Sequence, residues 1–307
     1  MSTIMKAIID LGTNTFHLLI AEIKAGAIVE YRKIQIPVKI GEGGINQQLI
    51  APAAYQRGLN ALKIFRETLS EFGIEKATAF ATSAVRDAQN GDLFITDAKQ
   101  LYQIEIVTIS GEKEAELIYK GVSHSFNLPN ENVLVMDIGG GSVEFIIGKK
   151  DTILWKKSYP IGAARLIDRF HKTDPISDQE LVTLQSYLIH NMKELHDALQ
   201  LFPATTLIGS AGSFETLVEV LKKDLQIPLI NLGETADEIP IKAFLSFYET
   251  ITTRNVADRT KLHGMADFRV EMIVVATILM DVVIKRFDIH KLIASHYSLK
   301  EGVLYSI

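Results

Sequence analysis

Apolar positions change their period along the chain. Residues 7–9 and 16–23 are largely apolar runs, separated by a polar turn at Asp10-Leu11-Gly12, and a turn at Lys24-Ala25-Gly26 leads to the mixed segment 28–34; all three read as strands. From 52 to 72 the spacing becomes helical, with Leu59, Leu62, Phe65 and Leu69 on one face. A strand at 78–81, helices beginning near Ser83 and Leu93, and a strand at 104–109 follow. The pattern then restarts with strands at 133–136, 145–147 and 152–159, helices at 165–170 and 177–201, and a short strand at 206–208. Helices at 214–221, 241–252 and 270–287, a strand at 292–295 and a last helix at 298–307 complete it. Alternation of this kind predicts an α/β fold rather than a bundle or a sandwich.

The restart is a repeat. Ile8-Ile9-Asp10-Leu11-Gly12-Thr13-Asn14-Thr15 aligns without gaps to Val135-Met136-Asp137-Ile138-Gly139-Gly140-Gly141-Ser142. Each copy is an apolar strand, an Asp-x-Gly turn, a hydroxyl residue and a second apolar strand. One repetition at this distance means two similar domains rather than a solenoid. The expected division is 1–124 and 125–307, with the join inside 121–132.

Composition narrows the chemistry. The chain has 307 residues, no cysteine, 32 Lys+Arg and 37 Asp+Glu, for a net charge of −5. Disulfides, cysteine-zinc sites and thiol nucleophiles are excluded. No global basic field exists to hold DNA or RNA. The longest apolar run, 272–284, contains Asp281 and falls short of the ~20 residues that a membrane span needs. The expectation is a cytoplasmic protein without a membrane partner. No His-x-x-x-His pair suggests a zinc site.

The glycine turns carry the candidate chemistry. With no Cβ in the way, several backbone N–H groups can converge on one point and bind phosphate oxygens. Both turns lead into a strand, not a helix, and no Walker lysine follows Gly141, so neither is a P-loop or a dinucleotide fingerprint. Two such turns face to face would hold a phosphate chain, with Gly12, Asn14, Gly139, Gly140, Gly141 and Ser142 as donors. Asp10 and Asp137 would hold a divalent ion through water, which suits Mg²⁺. The competing reading is a pair of tight hairpins with capping aspartates. A third glycine segment, Gly209-Ser210-Ala211-Gly212-Ser213, opens a helix; it is a third phosphate or nucleotide site or a simple capped turn. The Gly41-Glu42-Gly43-Gly44 cluster reads as a loop.

One glutamate falls on the wrong face. In the helix at 112–120, Glu112, Lys113, Glu116 and Lys120 share one side, while Glu114 falls between Leu117 and Ile118. A carboxylate beside a phosphate cradle is what a general base for water requires. First-turn acids are also favoured by the helix dipole, which accounts for Glu112 better than for Glu114. Arg86 is either a phosphate clamp or the partner of Asp87 or Glu75. Glu144 is either a metal-associated acid or an ordinary strand charge. Lys149, Lys150, Lys156 and Lys157 are either a solvated hairpin or a polyanion track.

Taken together these residues resemble the exopolyphosphatase / guanosine pentaphosphate phosphohydrolase family, within the actin-like ATPase and sugar kinase superfamily. The matching motifs are 10–17, 81–88, 109–115, 136–142 and 300–304, in the right order over nearly the whole chain. The resemblance implies two ribonuclease-H-like domains with the active site in the cleft between them. It implies Mg²⁺-dependent release of terminal orthophosphate from inorganic polyphosphate, or of the 5′-phosphate of guanosine pentaphosphate, with K⁺ a candidate activator and a homodimer a candidate assembly. It puts Glu114 on the catalytic base, Asp137 and Glu144 on the metal-associated positions, and Arg86, Asn14 and 139–142 on phosphate contacts. Departures are Lys113 for a glutamate, Ser295-His296-Tyr297 before the last helix, and Lys300 for an arginine. Longer relatives continue into a helical HD-type domain. A non-catalytic sensor of the same anions, or a small-molecule kinase, are readings from other classes.

Overall fold

The structure is a computed structural model, and it describes residues 5–307. The chain opens with strands β1 (Lys6–Leu11), β2 (Thr15–Lys24) and β3 (Ala27–Pro37), then helix α1 (Pro52–Glu71). Strand β4 (Thr78–Ala81), the single turn α2 (Ser83–Arg86), α3 (Gly91–Tyr102), β5 (Glu105–Thr108) and α4 (Gly111–Ser123) follow. The second half begins with β6 (Val133–Ile138), β7 (Val143–Lys149) and β8 (Thr152–Tyr159). Then come α5 (Ala163–Phe170), α6 (Asp178–Asn191), α7 (Lys193–Leu201), β9 (Thr206–Ser210), α8 (Gly212–Lys223), β10 (Ile230–Asn231) and β11 (Ala236–Ile239). The chain closes with α9 (Ile241–Thr253), α10 (Val256–Arg259), α11 (Met272–Arg286), β12 (Lys291–Ser295) and α12 (Leu299–Leu304).

The two sheets share one topology. The first runs β3-β2-β1-β4-β5 and the second β10-β11-β12-β9-β6-β7-β8. In each, three antiparallel strands joined by tight turns lead into parallel neighbours: β1 pairs with β4, and β6 with β9. The fold is α/β, with two lobes of ribonuclease-H-like architecture and a cleft between them. In such sheets ligands gather beyond the carboxyl ends of the parallel strands, and both Asp-x-Gly turns sit there.

Each sheet has its own core. Leu59, Leu62, Phe65 and Leu69 are buried, as the helical spacing predicts. All six residues of β6 are buried, as befits a central strand covered on both faces. A further cluster joins the lobes: Ile8 and Leu19 of the first sheet and Val133 and Ile208 of the second meet α4 and α12. These two helices touch backbone to backbone. A β-carbon on Gly302 would lie 1.7 Å from the Leu117 carbonyl oxygen, and one on Gly121 2.1 Å from that of Ser298. The contact fixes α4, which carries Glu114, against α12, which carries Lys300.

Some elements depart from the sequence pattern. The helix expected over 177–201 bends at Met192 into α6 and α7, so that Leu184, Leu188, Leu195 and Leu199 all reach one core. β10 and β11 carry too little apolar pattern to be read. The acidic Asp237 of β11 is only 2% exposed, and both its oxygens accept from Lys222 Nζ at 2.8 Å.

Candidate active site

A cavity of about 90 Å³ lies between the lobes. The two glycine turns form opposite walls, contributing Gly12 to Thr15 from one lobe and Gly139 to Ser142 from the other. They are in contact. A β-carbon on Gly141 would stand 2.8 Å from Thr13 Oγ1 and 2.5 Å from Ser83 Oγ. Asp10, Asp137, Glu114 and Gly212 line the same space.

Arg165 ties these walls together. Its Nε donates to the Gly141 carbonyl at 2.8 Å, and its Nη1 to the Ile45 carbonyl of the other lobe at 2.8 Å. Its Nη2 reaches Ser83 Oγ at 3.3 Å and Asp87 Oδ2 at 3.4 Å. A planar fork of donors spans such a set as a lysine cannot.

Glu114 owes its position to the start of α4. Ser110 caps the helix, its hydroxyl accepting from the Lys113 N–H at 3.2 Å. Glu114 then falls on the inward face and is 7% exposed. Its nearest cation is Arg86, whose Nη1 stands at 3.5 Å while donating to the Ile109 carbonyl at 3.0 Å. Loss of solvent and the neighbouring Glu144 hold the Glu114 carboxyl well above its ordinary value, with Arg86 opposing.

The other acids behave alike. Asp137 and Glu144 are partners across β6–β7, and Glu144 and Ser158 across β7–β8. Asp137 Oδ2 accepts from Ser210 Oγ at 2.6 Å, and Glu144 Oε1 from Ser158 Oγ at 2.6 Å. Burial raises Asp10 to about 7, Asp137 to about 6 and Glu144 to about 7, and Asp137 further raises both Asp10 and Glu144. All these donors are carboxylate oxygens, the set that hard divalent ions take. Among the described residues no three acids or histidines converge closely enough to ligate an ion directly. Carboxylate oxygens around a small cavity fit a hard ion such as Mg²⁺, which keeps several of its waters.

Not every expected phosphate contact faces the cavity. Gly209 lies inside β9 under the Phe214 ring, 2.1 Å from a β-carbon placed there. Ser210 is fully buried behind Asp137, and Ser213 is buried in the first turn of α8. From that segment Ala211 and Gly212 line the space. Ala211 has φ +66 and ψ −179, a conformation that otherwise belongs to glycine. Arg86 opens into an adjoining cleft with Ser83, Asp87, Ser110, Ser142 and Ser158, and its Nε donates to Asp87 Oδ1 at 2.9 Å. Of the four hairpin lysines, Lys156 pairs with Glu116 and Lys157 with Glu194, while Lys149 and Lys150 are exposed at the turn.

The structure adds residues that sequence reasoning left unassigned: His17, Thr82, Glu215, Arg269, Ser298 and Lys300 also line the cavity. Arg269 lies across the start of α8, its Nη2 1.7 Å from a β-carbon placed on Gly212. Lys300 is 5% exposed. Burial works against its charge, but Glu301, Glu215 and Asp10 outweigh that and hold it firmly protonated. His17 and Lys300 belonged to motifs already read. Arg269 had no local signal, being brought in from a segment 57 residues beyond Gly212 in the chain.

A family model described as the Ppx/GppA phosphatase family matches residues 19–307. A solved exopolyphosphatase from Cytophaga hutchinsonii superposes with a TM-score of 0.94 at 37% identity, covering 99% of this chain and 97% of that one. A Haemophilus influenzae protein named as an exopolyphosphatase is 30% identical over 98% of this chain and 90% of its own length. A guanosine-5′-triphosphate,3′-diphosphate pyrophosphatase from Pseudoalteromonas translucida is 29% identical over 98% of this chain, which spans 59% of that relative. Among the described residues no helix is long and apolar enough to cross a membrane.

Proposed function

The chain belongs to the Ppx/GppA phosphatase family, whose reaction class is phosphoric anhydride hydrolysis, and on that premise we propose that it is an exopolyphosphatase that removes terminal orthophosphate from inorganic polyphosphate. The observation that carries the reading is the meeting of two glycine turns over one small cavity with a buried carboxylate, Glu114, in its wall. The last phosphate sits between the turns, where backbone N–H groups, Asn14 and Ser142 hold its oxygens. Arg165 stands behind the turns and keeps them in register, while Arg86 stands beside Glu114. Glu114 accepts the proton of the attacking water, and its raised proton affinity makes it a stronger base once ionised. Asp10, Asp137 and Glu144 would hold Mg²⁺ through water, and the ion would neutralise charge on the phosphate oxygens.

A second reading, guanosine pentaphosphate 5′-phosphohydrolase, is favoured by one feature. An adjoining cleft shares Asn14 with the cavity and is walled by Ile45, Ile167 and Met272, with Glu42, Asp168 and Glu271 at its rim. Glu42 pairs with Arg57 and Glu271 with Lys39, which also lines the cleft; the apolar wall would take a purine face and the rim carboxylates accept from its N–H groups.

The test compares orthophosphate release from long polyphosphate, short polyphosphate and guanosine pentaphosphate with Mg²⁺ under one set of conditions. Faster turnover of polyphosphate supports the first reading, and faster turnover of the nucleotide replaces it with the second. Tight binding of all three without release would make the protein a sensor.

A further inference from the structure

Part of the cavity wall has no task in the mechanism above. Thr15 and His17 are two apart on β2, so their side chains share a face, and both line the cavity. Among the described residues six buried side-chain polar atoms lack a hydrogen-bond partner, and Thr15 Oγ1 and His17 Nδ1 are two of them. A buried polar atom left without a partner is destabilising. Two side by side on one wall of an active-site cavity point to a ligand that completes them.

The duplicated hairpin gives the position a meaning. The offset that aligns residues 8–15 with 135–142 places His17 on Glu144. Asp10 pairs with His17 across β1–β2 just as Asp137 pairs with Glu144 across β6–β7. One spot in two lobes thus carries an acid in the second and an imidazole in the first. The surrounding charges differ in the same sense. After burial, Glu114 is acted on by Glu144, Arg86, Asp10 and Asp137, and His17 by Lys300, Arg269 and Lys33. Lys300 and Arg269 line the same cavity as His17, with Glu215 among them.

An in-line displacement has two ends, one for the incoming water and one for the departing oxygen. Resting on the assignment of Glu114 to the water, we propose that His17 and Thr15 form the leaving-group side of the site, with His17 Nδ1–H and the Thr15 hydroxyl hydrogen-bonding the phosphate that departs. As the water oxygen bonds to the terminal phosphorus, its proton passes to Glu114. The bridging P–O bond breaks, and its electron pair stays on the oxygen of the shortened chain. His17 keeps its proton throughout. As a neutral imidazole it carries one ring N–H to give. Ionised phosphate oxygens only accept, which requires the proton on Nδ1 and leaves Nε2 bare.

The ring nitrogens can be told apart by substitution, because an asparagine amide overlays Nδ1 and a glutamine amide overlays Nε2. Polyphosphate turnover is measured for wild type, His17→Ala, His17→Asn and His17→Gln. We expect His17→Ala to lower kcat ~100-fold, the scale of one lost transition-state donor, with KM within a few-fold. His17→Asn should recover most of that and His17→Gln little. In parallel, the ring ¹⁵N resonances of wild type are followed as non-hydrolysable imidodiphosphate is added with Mg²⁺, and Nδ1 should shift while remaining protonated. Equal kcat in all three variants, rescue by Gln rather than Asn, or an Nδ1 signal unmoved by imidodiphosphate would each overturn the proposal. The resonance arm reads the contact even if wild type proves not to hydrolyse polyphosphate, so failure of the parent reading is seen separately.

Discussion

Asn14 of the first glycine turn stands directly against Gly140 of the second: a β-carbon on Gly140 would lie 2.4 Å from Asn14 Nδ2. The lobes therefore meet at the cavity wall, and the absence of a side chain at 140 is what lets them. Gly140→Ala should push the Asn14 amide out of the cavity. Activity should fall at least ~10-fold with little change in melting temperature, because the neighbour that must move is the end of a flexible side chain. Gly162→Ala is the contrast. Its β-carbon would meet the Gly140 backbone at 2.4 Å, and overpacking against backbone costs ~1–3 kcal/mol. It should lower the melting temperature as well as activity. Thermal melts beside initial rates separate the two, and equal behaviour of the two variants would refute the argument.

Glu114→Gln keeps the shape and removes the base. Turnover should drop at least ~100-fold, with polyphosphate binding retained, as read by kinetics and a binding titration. In the wild type the rising limb of kcat with pH should sit above the ordinary glutamate value of 4.5, since loss of solvent and Glu144 raise this carboxyl. Glu114→Gln should lose that limb. Near-normal turnover in the variant would remove Glu114 from the role.

Stability should respond to the crowded acids. Asp10 rises from 3.8 to about 7, Asp137 from 3.8 to about 6 and Glu144 from 4.5 to about 7. Between the unfolded and folded values the folded chain binds more protons than the unfolded chain, so its stability falls as pH rises. Metal-free protein should lose melting temperature from about pH 4 to 7, and Mg²⁺ should flatten the decline by supplying the missing positive charge. Melts at constant ionic strength with chelator or with Mg²⁺ test this. A metal-free melting temperature that climbs through the window would contradict it.

Arg165→Lys should be far from conservative. The guanidinium reaches Gly141, Ile45, Ser83 and Asp87 at once, and one ammonium cannot. Hydrogen bonds from charged groups contribute ~1.5–3 kcal/mol, so kcat/KM should fall roughly 10- to 100-fold as the lobes lose register. Solution scattering of the same variant should show a more open envelope, and a variant with wild-type kinetics would show that the tie is dispensable.

Much of the fold was legible because it is local. Strand and helix periods, and two copies of an Asp-x-Gly hairpin, are written in consecutive residues, and the duplicated sheet order follows from them. Glu114 was legible for the same reason: helical spacing alone put one carboxylate among leucine and isoleucine. The bend at Met192 and the short strands β10 and β11 were not, since packing against distant elements makes them.

For the site, the sequence by itself determined that two glycine turns exist, that each begins with an aspartate, and that one glutamate faces inward. Only the tertiary structure decided that the turns touch, that Ser210 supports Asp137 and Ser158 supports Glu144, and that Gly209 and Ser213 lie away from the cavity. It alone brought Arg269 and Lys300 into the cavity wall. The physical reason is range. Backbone conformation and amphipathic period are set within a few residues, whereas the charge and solvent around a side chain are set by whatever folding brings beside it.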